Sequence, residues 1–217
     1  MKTLFKPLFA VIVAAVTFTS CMESDNTDYE AEARKEEQRV DSVLTAQRAA
    51  IQAYAAAEFE SPREDTVVIP LPRIGKNPKR GIWYEIVSQP TDDSYEYKVN
   101  NAGTGLIYPI VKVKYKVSNL SGTVLKADET GSSYSMGSNA NNTVVNPIWY
   151  YSFFPYSLRY NDQDIRVLGL TEKGLKKGSK IRLVTPSYWA FDNRTIGDIP
   201  GNQPLVYEFE VLEISNN

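Results

Sequence analysis

Residues 185–214 read TPSYWAFDNRTIGDIPGNQPLVYEFEVLEI. Trp189 and Phe191 flank Ala190, a polar loop follows, then Ile199-Pro200, and the segment closes on the alternating run PLVYEFEVLEI. Such alternation predicts a β-strand with one buried face. The stretch holds no histidine and no cysteine. Chemistry based on histidine or cysteine is therefore excluded here.

The rest of the chain carries the same restriction. Its 217 residues include no histidine and one cysteine, Cys21, at a net charge of −2. The missing histidine excludes Ser-His-Asp and Cys-His nucleophile pairs, and histidine-ligated zinc. A single cysteine forms no disulfide within one chain. A near-neutral charge gives no electrostatic footprint for nucleic acid. No metal and no cofactor are expected.

Cys21 ends a leader, MKTLFKPLFAVIVAAVTFTSC, with Lys2 and Lys6 before an apolar run over residues 8–18. That run is shorter than the ~20 residues a membrane-spanning helix needs. A charged start and short apolar core read as a secretory signal. The small residues Thr19 and Ser20 directly before the only cysteine resemble a bacterial lipoprotein signal, with Phe18 where leucine is usual. The resemblance implies lipidation of Cys21 and a membrane-anchored chain. An ordinary signal peptide cut nearby is the alternative. Met22, rather than aspartate, follows Cys21, which points to the bacterial outer membrane, on its periplasmic side or at the cell surface.

Residues 21–80 read as an acidic tether, an amphipathic helix and a linker. The helix is predicted over 28–59, free of Gly and Pro, with Val40, Leu44, Ile51 and Tyr54 on one face. Two readings of that face stand: packing on the chain's own domain, or a coiled-coil homodimer, in which the polar Gln47 would occupy a seam position. Four prolines in residues 61–81 then suggest a linker with one extended piece at 67–71.

Residues 81–217 are expected to form one domain. Strand candidates are GIWYEIVSQP (81–90), YPIVKVKYKV (108–117), SKIRLVTP (179–186) and PLVYEFEVLEI (204–214). In the second, Val111, Val113, Tyr115 and Val117 alternate with Lys112, Lys114 and Lys116. SNLSG (118–122) is a turn. LTEKGLKKG (170–178) suggests a short helix ending on glycine. The polar stretch GSSYSMGSNANNTVV (131–145) reads as a loop. The aromatics between Trp149 and Tyr156 read either as a strand covering the sheet or as an exposed patch for peptide or glycan. The fold class is α+β: an antiparallel β-sheet wrapped on one short α-helix, preceded by an N-terminal helical tether.

Three runs in order, VKVKYKVSNLSGTVL (111–125), GLKKGSKIRLVTPSYWAF (174–191) and IPGNQPLVYEFEVLEI (199–214), resemble the FKBP-type peptidyl-prolyl cis-trans isomerases. The resemblance implies an isomerase, or a non-catalytic module on the same fold, whose partner is a proline-containing polypeptide or another apolar ligand. It implies a catalytic set of Tyr115, Phe191 and Tyr207, with a pocket completed by Leu125, Ile165, Leu168 and Ile199, and with Phe153 as a further wall. Leu168 falls where the family has a tryptophan floor, Lys126 where it has an aspartate, and Phe191 where it has a tyrosine. These departures imply weak activity.

Overall fold

The computed structural model describes residues 28–100, 102–103, 105–137 and 144–216. The leader and Cys21 lie outside them.

Helix α1 (Tyr29–Glu58) starts where the Asp28 carboxylate accepts the amide of Ala31, with Glu30 and Glu32 in its first turn. Its apolar stripe is buried within the chain. Ile51 and Ala55, with Phe59, pack on Val184 and Val206, and Val40 and Leu44 pack on Leu71. The intramolecular reading of the stripe is the one observed. No helix of the described residues is long and apolar enough to cross a membrane.

Six strands form one sheet in the order β1 (Arg63–Glu64), β2 (Trp83–Ser88), β7 (Lys180–Thr185), β8 (Leu205–Asn216), β3 (Pro109–Ser118), β4 (Val124–Ser135), and every neighbouring pair is antiparallel. Period-two alternation sorts each strand. Val111, Val113, Tyr115 and Val117 are buried on the inner face with Tyr207 and Phe209. On the outer face, Glu85, Arg182, Glu208 and Lys116 lie in one cross-strand row, and α1 covers the apolar row beside it.

Three expectations are corrected. The short helix is not at 170–178. That segment carries Gly174 and Gly178 at φ +74° and +85°, and a Cβ at Gly174 would come within 2.6 Å of the Phe153 carbonyl. The backbone turns there instead, although Leu170 and Leu175 still enter the core. Helix α2 (Pro147–Phe153) lies in the aromatic run that was read as a strand or an exposed patch. Asn146 caps it by accepting the Ile148 amide, Pro147 sits at its first position, and Ile148, Trp149, Ser152 and Phe153 form a buried stripe. Last, the polar stretch is partly β4, which reaches Ser135.

The proline-bearing segment 62–80 is packed rather than a free linker. It folds back through bridges at Val68–Lys79 and Leu71–Lys76 and buries an ion pair between Asp65 and Arg80. After α2 a hairpin, β5 (Ser157–Tyr160) with β6 (Gln163–Arg166), forms a separate two-stranded sheet.

Candidate active site

The inner face of the sheet and α2 build the site. Val117 lies opposite Tyr207, and Tyr115 opposite Phe209, on strands β3 and β8. Helix α2 lies against them. Trp149 meets Phe209, Tyr115 and Phe153 with ring centroids 4.9, 5.3 and 5.8 Å apart. The N-terminus of α2 is fixed to the sheet by one residue: Asn146 Nδ2 donates to the Tyr207 hydroxyl at 3.0 Å while its Oδ1 takes the Ile148 amide. Burial pushes the Tyr207 phenol well above its ordinary range, and the Asn146 bond only partly offsets this.

Five of the eight residues named for the site are buried in the domain's main hydrophobic core: Tyr115, Phe153, Phe191, Ile199 and Tyr207. Leu125 packs on its margin, as do Tyr134, Val144, Val145 and Ile196, all half-buried. Ile165 and Leu168 are set apart. Ile165 belongs to the β5–β6 hairpin and lines a separate hollow of about 320 Å³ with Val99 and Leu106. Leu168 is a half-buried loop residue at φ +66°.

Trp149 is the ring at the centre of these contacts, and its indole N–H has no hydrogen-bond partner among the described residues. The Asn-Pro pair at 146–147, followed by apolar residues four apart, was the signal for it.

Asp128 is the second residue that motif counting missed. The pairing of β3 with β4 slips between Val113–Ser132 and Tyr115–Asp128, a bulge that sets Asp128 opposite Tyr115. Its carboxylate receives the amides of Ser132 (2.9 Å) and Gly131 (2.8 Å) and the hydroxyls of Tyr134 (2.8 Å) and Thr130 (3.1 Å). The Ser132 side chain first, then the Gly131 amide and the Tyr134 and Thr130 hydroxyls, hold the carboxyl well below the usual carboxylate range, against the opposing effect of burial. Tyr134 moves the other way, raised by burial and by its bond to Asp128. Lys126, at the position where the family has an aspartate, lies opposite Val117.

Phe191 and Ile199 come from the irregular segment after β7, which begins with a 3₁₀ turn (Ser187–Trp189). Its hydrogen bonds close it on itself: Asp192 N–H to the Ser187 carbonyl, Asn202 N–H to the Asp192 carbonyl, and Ile196 and Ile199 paired. The assembly is an apolar, aromatic cluster with one carboxylate at its rim. No group of metal-ligating residues occurs among the described residues.

No family model matches the chain. A 130-residue alignment relates it, at 30% identity, to the FKBP-type peptidyl-prolyl cis-trans isomerase FkpA of Escherichia coli K12, covering 55% of this chain and 41% of that protein. FkpA of Buchnera aphidicola subsp. Acyrthosiphon pisum aligns at 30% over 129 residues, covering 58% and 44%. The chain thus spans less than half the length of these curated relatives. Among solved structures, a peptidyl-prolyl cis-trans isomerase of Pseudomonas syringae is similar with a TM-score of 0.49 at 18% identity, over 82% of this chain and 96% of that one. FkpA of Escherichia coli gives 0.44 at 19% identity, over 86% and 64%.

Proposed function

We propose that the chain is a prolyl isomerase of the FKBP type, anchored at the outer membrane by a lipidated Cys21, that assists the folding of exported proteins; its 30% identity to FKBP-type isomerases supports this reading. One observation supports the catalytic part: Tyr115, Phe153, Phe191, Ile199 and Tyr207, from two strands, a helix and a loop, are buried in one hydrophobic core, which half-buried apolar residues border.

Prolyl isomerisation needs no acid, base or nucleophile. The barrier is rotation about a C–N bond with partial double-bond character, ~18–20 kcal/mol. The planar amide is the more charge-separated form and the twisted amide the less. Surroundings poor in water favour the twisted form relative to the planar one, and binding the twisted form better is catalysis. Aromatic and aliphatic walls suit that task, and a chain without histidine loses nothing by it.

Exchange spectroscopy on a prolyl tetrapeptide, with a protease-coupled assay beside it, tests the proposal. Acceleration over the uncatalysed exchange is expected, and a rate equal to the uncatalysed one rejects it. A second reading, a non-catalytic module that grips a proline-bearing or other apolar segment, is favoured by a specific observation. The Tyr207 hydroxyl is engaged by Asn146, the Tyr134 hydroxyl by Asp128, and Phe191 has none. Saturable peptide binding without acceleration of exchange would select that reading. For the anchor, acyl chains on Cys21 would appear by mass spectrometry of the membrane fraction, and Cys21→Ser would release the chain.

A further inference from the structure

Three residues close the loop that carries Phe191, Ile196 and Ile199: Ser187, Asp192 and Asn202, joined by the Asp192–Ser187 and Asn202–Asp192 backbone bonds. The same three residues are the ones that α1 holds. Gln47 Oε1 accepts the Ser187 amide at 2.8 Å, and its Nε2 donates to the Ser187 hydroxyl at 3.0 Å and to the Asn202 carbonyl at 3.1 Å. Arg39 forks onto Asp192 with two bonds of 2.8 Å, and its Nε and Nη2 also donate to Glu36 at 2.8 and 2.7 Å. The guanidinium also lies 5.7 Å from the Tyr188 ring, against which Val40 and Leu44 pack.

The backbone around Phe191 needs such support. Asp192, next to Phe191, sits at φ +57°, sparsely populated for residues with a side chain. Among the described residues, the side-chain hydrogen bonds that tie this loop to other elements come from Arg39 and Gln47, with one further bond from Trp189 to the Arg80 carbonyl. Gln47, the polar residue in the middle of an apolar stripe, thus has a partner inside the chain. A bidentate fork fixes orientation as well as distance.

We propose that α1 is a positioning element of the site: Arg39 and Gln47, by holding Ser187, Asp192 and Asn202, set the placement of Phe191, Ile196 and Ile199 around a bound proline. This rests on the site assignment above, and its test separates the two. In the full chain, Arg39→Asp, Asp192→Arg, the double swap and Gln47→Ala are compared by the methyl resonances of Ile196 and Ile199. Ile110, at the opposite end of β3, is the control. Prolyl tetrapeptide turnover is measured on the same samples, at a temperature where unfolding curves show each variant folded.

Arg39→Asp and Gln47→Ala are expected to move the Ile196 and Ile199 signals but not Ile110. They should lower kcat/KM at least fivefold, chiefly through KM, and the double swap should recover the native value within twofold. Unmoved loop signals, equal movement of Ile110, or moved loop signals with native turnover each overturn the proposal. Should Arg39→Asp fail to fold, Gln47→Ala decides alone. Should the native chain show no turnover, the isomerase reading fails, and the methyl signals together with tetrapeptide affinity still decide the positioning role.

Discussion

Phe191 lies in the buried cluster without the hydroxyl that a tyrosine would bring. Phe191→Tyr is expected to raise kcat/KM about fivefold, as one added hydrogen bond of about 1 kcal/mol would, measured by peptide exchange. An unchanged or lower rate means that no acceptor lies within reach. Lys126 looks like the matching departure when residues are counted from Tyr115, yet the β4 bulge moves Asp128 into the place opposite Tyr115. A two-residue slip of this kind leaves no mark in a motif. It depends on Gly131 accepting φ +85° and on four donors converging on one carboxylate. Because the Asp128 pKa is depressed in the fold, its contribution is fully present above the unfolded value of about 3.9 and is lost as pH falls through the lower folded value. Titrating the Gly131 and Ser132 amide shifts should therefore give a midpoint below 3.9. A midpoint at or above it would show that the bulge is not held this way.

At the scale of elements, Asn146 is the joint between α2 and the sheet. Asn146→Ala removes a helix cap and leaves the Tyr207 hydroxyl buried without its partner, for a loss of roughly 2 kcal/mol or more. Thermal unfolding should fall by about 4–8 °C. In a double-mutant cycle with Tyr207→Phe, the double variant should lose less than the sum of the two single losses. Strict additivity would separate the cap from the hydroxyl. The strands were legible in the sequence wherever alternation was clean, as in Val111-Lys112-Val113-Lys114. Both helices also left signals, but the second was overlooked because six aromatics in eight residues outweighed the Asn-Pro start. In the other direction, two leucines and a terminal glycine at 170–178 suggested a turn of helix, where Gly174 instead packs edge-on against the Phe153 carbonyl. Helix periodicity over so few residues is weak information, and the backbone contact that decides the matter is long-range. Ile165 and Leu168 lie away from the cluster for the same reason: the β5–β6 hairpin pairs into a sheet of its own, which no local pattern announces.

Across the described molecule, residues 28–80 pack onto the domain rather than hang from it as a tether. Asp65 and Arg80 form an ion pair whose side chains are 4% and 2% exposed, and the Arg80 guanidinium lies 4.1 Å from the centre of the Tyr151 ring on α2. Removing one partner strands the other charge. Asp65→Ala should cost about 3–5 kcal/mol in denaturant unfolding, whereas Asp65→Leu with Arg80→Met should cost far less. Equal losses would mean that the pair itself is favourable. The exposed cross-strand pairs such as Lys116–Glu208 contribute little by comparison. None of this was legible in residues 62–80, where prolines read as flexible spacing and the lone acid and base gave no hint that they are neighbours.

The seat of α1 on the outer face carries a practical corollary. A polypeptide trimmed to begin at Gly81, where composition suggests a boundary, would leave Trp83, Val184 and Val206 uncovered and Arg80 missing from beneath Tyr151. A greasy strip laid bare across three strands invites self-association. The shortened polypeptide should emerge as aggregates from a sizing column, while one starting at Asp28 should elute as a single discrete species. The smallest autonomously folding piece thus reaches back at least to the start of the long helix.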